Sequence, residues 1–282
     1  MPVLALLIML SPTVNRSVYG HTFSGDESAS FLTKIEMIKI ESKLALEQVS
    51  NNTALAKEHA DHAADQLTSN DTDEISERNS RLAADLNNAL NNFSNAFESG
   101  TPSQTEISDK VTSINDIIAD VVNSRIDEEQ QENATVKALV VNDLVGETLE
   151  NYGIALGMEE GEHESEHDEN MTSSEHSTDN SSNETSNILD EASFQTAQAT
   201  ITRAIENFDE IKEDSDTNST ELRDSLNAVK EKIDSKAPFD EIDTIVDGKI
   251  TSLLNNVYDL NLSEEEHAEG GEEEHAENEN NS

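Results

Sequence analysis

Apolar residues recur at helical spacing along most of this chain, and they run through the same order twice. Phe31, Ile35, Ile38, Ala45 and Val49 mark one stripe; Leu82, Leu86, Ala89, Leu90, Phe93 and Phe97 mark another; Ile107, Val111, Ile114, Ile118 and Val121 mark a third. Steps of three and four residues place each set on one face of a helix. Between the first two stripes lies TALAKEHADHAADQL, Thr53 to Leu67, whose apolar face is mostly alanine. The connections are a few residues long, which makes successive helices antiparallel neighbours in a bundle.

The second half repeats this plan. Ala197, Ile201, Ala204, Ile205 and Phe208 match Ala56, Ala60, Ala63, Ala64 and Leu67 at a constant offset, and Leu222, Leu226, Val229 and Ile233 match Leu82, Leu86, Ala89 and Phe93 at nearly the same one. Ile242, Val246, Ile250, Leu253 and Val257 supply the last stripe, and Val136, Leu139, Val140, Leu144 and Leu149 the inward face of a helix from Asn133 to Gly153. Pro102 and Pro238 both fall before a fourth helix, where a turn is needed and the fixed φ of proline can pre-set the helix start. Ser103 and Glu106 have capping-box spacing. The expected fold is all-α: a tandem pair of antiparallel four-helix bundle-like units, 21–128 and 129–262, arising from duplication.

Two stretches break the pattern. Residues 158–187 hold ten acids and residues 263–282 hold nine, with no Lys or Arg in either. Such runs bury too little apolar surface to offset their ordering entropy, so an acidic disordered insert and an acidic disordered tail are expected. The insert falls between the first and second helices of the second unit, where loop closure costs only ~0.6 kcal/mol per doubling of length. With 61 acids against 17 bases and a net charge of −44, nucleic acid and anionic membrane surfaces are poor partners. Cysteine is absent, which removes thiolate metal sites, thiol nucleophiles and disulfides.

The chain opens MPVLALLIMLSPTVNRSVYG. Val3 to Leu10 is too short for the ~20 residues of a membrane helix and suits a secretory signal peptide over residues 1–20, leaving His21 as the mature N-terminus. Ten Asn-x-Ser/Thr sequons, at Asn15, Asn51, Asn70, Asn92, Asn133, Asn170, Asn180, Asn183, Asn218 and Asn261, fit an exported glycoprotein, several of them in expected loops. The mature chain is expected outside the cell, at the cell surface, without membrane insertion.

Candidate chemistry centres on histidine. In EHADHAAD, Glu58, His59 and His62 share a helix face and can chelate zinc or copper. The competing reading is polar residues flanking an alanine seam, because the duplication pairs His59 with Thr200 and His62 with Arg203, the latter a solvated type of position. A terminal His21 offers its amine and ring nitrogen to one Cu(II) ion, although no second histidine for such a brace is identified. His163, His167, His176, His267 and His275 lie among carboxylates in the acidic segments, where they suit Zn(II), Cu(II) or Ni(II) with modest affinity, since each ion must order the chain as it binds. Solvation alone would also account for those runs. No phosphate loop, nucleophile elbow or His-Glu-x-x-His helix occurs, so no enzymatic reading arises.

The segments VYGHTFSGDESASFL, ISERNSRLAADLNNAL and ATVKALVVNDLVGETLENYG resemble secreted helical proteins of ammonia-oxidising archaea. The resemblance covers most of residues 18–262 and implies an archaeal cell exterior and a copper-rich biology; it implies no activity. Three functions follow as expectations: a secreted, non-enzymatic binding protein for loose capture of divalent copper or zinc; a glycosylated structural or interaction spacer contacting a surface protein or glycan; or the external domain of a metal-uptake or sensory system. No cofactor is required by any of them.

Overall fold

A computed structural model describes residues 22–98, 100–158, 185–212 and 217–260. Residues 1–21, on which the expected signal peptide and the terminal His21 fall, most of the acidic run 158–187 and the tail 263–282 lie outside the described residues, and with them His163, His167, His176, His267 and His275. Among the described residues there is no strand, and the fold is all-α. The helices are α1 (Gly25–Gln48), α2 (Thr53–Asp65), α3 (Ser69–Ser94, followed by a 3-10 turn, Asn95–Phe97), α4 (Gln104–Arg125), the single turn α5 (Glu128–Gln131), α6 (Ala134–Ala155), α7 (Glu191–Ile211), α8 (Thr217–Asp234), α9 (Phe239–Ile245) and α10 (Thr251–Tyr258). A π-helical turn, Val246–Ile250, joins the last two.

Local chemistry sets these boundaries. Ser24 accepts from the Glu27 N–H while Glu27 Oε2 accepts from the Ser24 N–H, and Thr68 and Asp71 repeat this capping box at α3. At α4 only half of the expected box forms: Ser103 Oγ accepts from the Glu106 N–H at 3.1 Å. Inside α3 the backbone leaves the helical region at Asn79 (φ −155°, ψ 91°), whose side-chain oxygen accepts from the N–H groups of Arg81 and Leu82. Asn79 thus acts as an internal N-cap, and the stripe legible from Leu82 onward begins where the second segment starts.

The apolar side chains form two cores, and α1 faces both. Phe31, Ile35, Ile38, Ala45 and Val49 pack with α2, α3 and α4. On the other side of the same helix, Ala29, Met37, Ile40 and Leu44 pack with α6 to α10. The side chains between these faces are also buried, which is why α1 carries Ser28, Thr33, Glu41 and Ser42 in the interior. α6 runs parallel to α1, with Thr33 Oγ1 3.3 Å from Asp143 Oδ2. α7 runs antiparallel to α1, with Thr196 against Glu41, Thr200 against Met37 and Arg203 against Glu36. α2 also touches α7. The molecule is therefore joined at the meeting of α1, α2, α6 and α7, and the joint contains ionisable groups. No helix among the described residues is long and apolar enough to cross a membrane.

Candidate metal centre

Glu41, His59 and His62 converge where α1 and α2 pack against α7. The turn between the first two helices determines this. Gln48 O accepts from the N–H groups of Asn51 and Asn52, and Asn52 caps α2, so the chain reverses within a few residues. Glu41 stands seven residues before the end of α1 and His59 six after the start of α2, so at ~1.5 Å rise per residue the two lie at nearly the same height. Ala56, Ala60 and Ala63 are fully buried along the facing side of α2. Their small side chains let the helices approach closely enough for an imidazole to reach a carboxylate on the neighbour.

The geometry is compact. His59 Nδ1 is 2.7 Å from Glu41 Oε2, and His62 Nδ1 is 3.9 Å from Glu41 Oε1. One ligand atom from each of the three residues can be chosen with all of them within 4.8 Å of one another. Glu41 and His59 are almost completely buried, whereas the His62 side chain is 36% exposed, so solvent reaches the group from the His62 side. The two rings meet edge to face, 6.3 Å between centroids. A tetrahedral zinc site with bonds of ~2.0–2.1 Å needs its donor atoms roughly 3.3 Å apart. The Glu41–His59 pair would have to open by about half an ångström and His62 close by a similar amount. The half-exposed His62 has room for such a change.

The groups around the triad are polar and engaged. Thr196 donates its hydroxyl to Glu41 Oε1 at 2.7 Å, and Gln195 Oε1 lies 3.3 Å from His59 Nε2. Both imidazole nitrogens of His59 thus face oxygen atoms. Nearby on α1, Glu36 is held below the usual carboxylate range: burial pushes it up, but hydrogen bonds from Arg203 and Lys39 and their charges outweigh burial. On α6, Glu147 is pushed up to about 7, first by burial, then by the charges of Glu150 and Asp143, which outweigh the opposing charge of Lys34.

The expected ligands separate clearly. His59 and His62 belong to the group; Glu58 is exposed and stands apart from it, and α1 supplies the carboxylate in its place. His59 does not merely flank the alanine seam: it is fully buried, as is its counterpart Thr200, because α7 covers that side of α2. Arg203, the counterpart of His62, is only 30% exposed and bonds Glu36 rather than projecting into solvent. Glu41, Gln195 and Thr196 escaped the sequence reading. For Glu41 the signal was a gap in the first stripe: between Ile38 and Ala45, where helical spacing calls for an apolar residue, the chain has Glu41 and Ser42.

A shallow depression of about 360 Å³, bounded by Phe23, Phe31, Asp26, Asp71 and Glu74, shares no residue with the triad. Comparison with family models, with curated proteins and with solved structures finds no match to this chain.

Proposed function

We propose that the protein is a secreted, non-enzymatic binding protein that captures a divalent transition-metal ion, copper or zinc, on a scaffold of two duplicated four-helix units. The reading is supported by one observation above the others, the convergence of Glu41, His59 and His62 beside a solvent-accessible edge. Two imidazoles and a carboxylate are a ligand set that borderline divalent ions favour, and three protein ligands leave a coordination position for water. In this reading the acidic, histidine-bearing segments 158–187 and 263–282 act as collectors. Their loose ligands concentrate ions around the helices, and the pre-formed group retains one of them.

A second reading is favoured by the saturation of the same group. Glu41, His59, Thr196 and Gln195 already form a hydrogen-bonded cluster between α1, α2 and α7, as a purely structural polar joint would. The protein would then be a cell-surface spacer or interaction module, glycosylated at exposed asparagines such as Asn51, Asn92 and Asn218.

Calorimetric titration of the full chain with Zn(II) and Cu(II) at neutral pH separates the two. Metal capture at the helices predicts one tight equivalent that His62→Ala abolishes and that survives deletion of 159–184 and 263–282. A bound ion should also stabilise the fold, by about 2.7 kcal/mol at a hundredfold excess over Kd. Binding lost only on the deletion would transfer capture to the acidic segments. No binding in any variant would leave the spacer as the function.

A further inference from the structure

The side chains that hold the Glu41–His59–His62 group in position come from α7, in the other half of the chain. The Glu191 carboxylate can only accept, and Gln195 Nε2 donates to its Oε1 at 3.1 Å. That contact fixes the Gln195 amide, whose carbonyl oxygen then accepts from Gln48 Nε2 at 2.9 Å and faces His59 Nε2 at 3.3 Å. With an ion bound, a ring nitrogen held against a carbonyl oxygen carries the hydrogen, so Nδ1, on the side of Glu41, would be the nitrogen of His59 that ligates. The next residue, Thr196, is fully buried and donates its hydroxyl to Glu41 Oε1 at 2.7 Å, which leaves Oε2 directed at His59.

We propose that Gln195 and Thr196 are positioning residues for a divalent metal ion bound by Glu41, His59 and His62, so that a site with all its ligands in the first half is completed by the docked second half. The inference rests on the metal-capture reading above. Neither residue touches the ion. Gln195 selects the ligating nitrogen of His59, and Thr196 selects the rotation of the Glu41 carboxylate. Partners that orient metal ligands in this way are worth roughly 10- to 100-fold in affinity. Each is itself held, Gln195 by Glu191 and Gln48, and Thr196 by complete burial in α7. The affinity of the site therefore reports whether α7 is docked against α1 and α2.

The test uses the full chain with Co(II) as a spectroscopic probe and Zn(II) competition for affinity. Thr196→Val should weaken binding roughly 10- to 100-fold and change the visible Co(II) bands, and Thr196→Ser should restore both. Gln195→Ala, at a half-buried position that tolerates truncation, should weaken binding and broaden the bands. Thr200→Val is the control: one turn further along α7 and equally buried, with its hydroxyl on the Met37 sulfur, it should leave bands and affinity unchanged. Wild-type protein that binds Co(II), with Thr196→Val and Gln195→Ala identical to it, overturns the inference and leaves metal capture intact. Wild-type protein that binds neither Co(II) nor Zn(II) overturns both.

Discussion

His59 and His62 stand one helical turn apart, and burial gives them opposite roles in stability. Removing the His59 ring leaves Glu41 inside the joint with the Thr196 hydroxyl as its remaining close donor. Leaving a buried carboxylate short of a hydrogen-bond partner costs about 1–3 kcal/mol or somewhat more. His59→Ala should therefore lower the urea midpoint strongly, whereas His62→Ala at its half-exposed position should stay within roughly 0.5–1 kcal/mol of wild type. Equal losses in the two variants would show that Glu41 does not depend on His59. Glu147 gives the pH dependence. Its carboxyl is raised from an ordinary 4.5 to about 7 in the folded state. The folded chain thus binds more protons than the unfolded chain between those values, and stability falls as pH rises through that window. The destabilisation is absent below the unfolded value and complete above about 7, where it is of the order of 3 kcal/mol. Glu147→Gln should raise the melting temperature at pH 8, leave it nearly unchanged at pH 4, and flatten the slope between; a variant that parallels wild type across this range would refute the assignment.

At the level of elements, α3 is two helical segments joined at Asn79, and its geometry makes a quantitative prediction. The Asn79 side chain supplies the acceptor for two backbone N–H groups that have no helical partner at the break. Replacing such a cap with alanine costs about 1 kcal/mol, so Asn79→Ala should lower stability by that amount in equilibrium unfolding, while Asn79→Asp should lose little. A stabilising Asn79→Ala would mean that α3 prefers to straighten. The break also shows what the sequence makes legible. Stripes of Leu, Ile, Val and Phe reveal helices because burial repeats with the helical period, and so α4, α7 and α8 could be read directly. The polar first segment of α3, from Ser69 to Arg78, has Ile75 as its one buried hydrophobic residue, and periodicity alone passes over it. The candidate site was half legible for a related reason. Histidines within eight residues on one helix are visible in the sequence, but the carboxylate that joins them comes from a different helix. Only the interruption of the α1 stripe at Glu41 and Ser42 hinted at that.

For the whole molecule, the decisive feature is that α1 is apolar on two sides. A four-helix unit read from residues 21–128 would bury one stripe of its first helix and leave the rest to solvent. In the fold, the opposite side places Ala29, Met37, Ile40 and Leu44 in the second core beside Val140, Leu144 and Ile201. Removing the second half would expose these side chains, at roughly 1.5–3 kcal/mol for each large one, against a typical total stability of only about 5–15 kcal/mol for a domain. It would also uncover Glu41 and His59, whose partners Thr196 and Gln195 lie on α7. A fragment spanning residues 22–127 should therefore be helical by far-UV circular dichroism yet melt without a sharp transition, or self-associate through the bared face of α1. The full chain should unfold in a single cooperative transition, with calorimetric and van't Hoff enthalpies in agreement. Substituting Met37 and Ile40 together by lysine in the fragment should restore monomeric behaviour by making that face polar, and the same pair should severely destabilise the full chain by placing charge in its second core. A fragment that melts as sharply as the full chain, without these substitutions, would mean that the first core is sufficient and that the polar joint at Glu41 couples two independently stable halves.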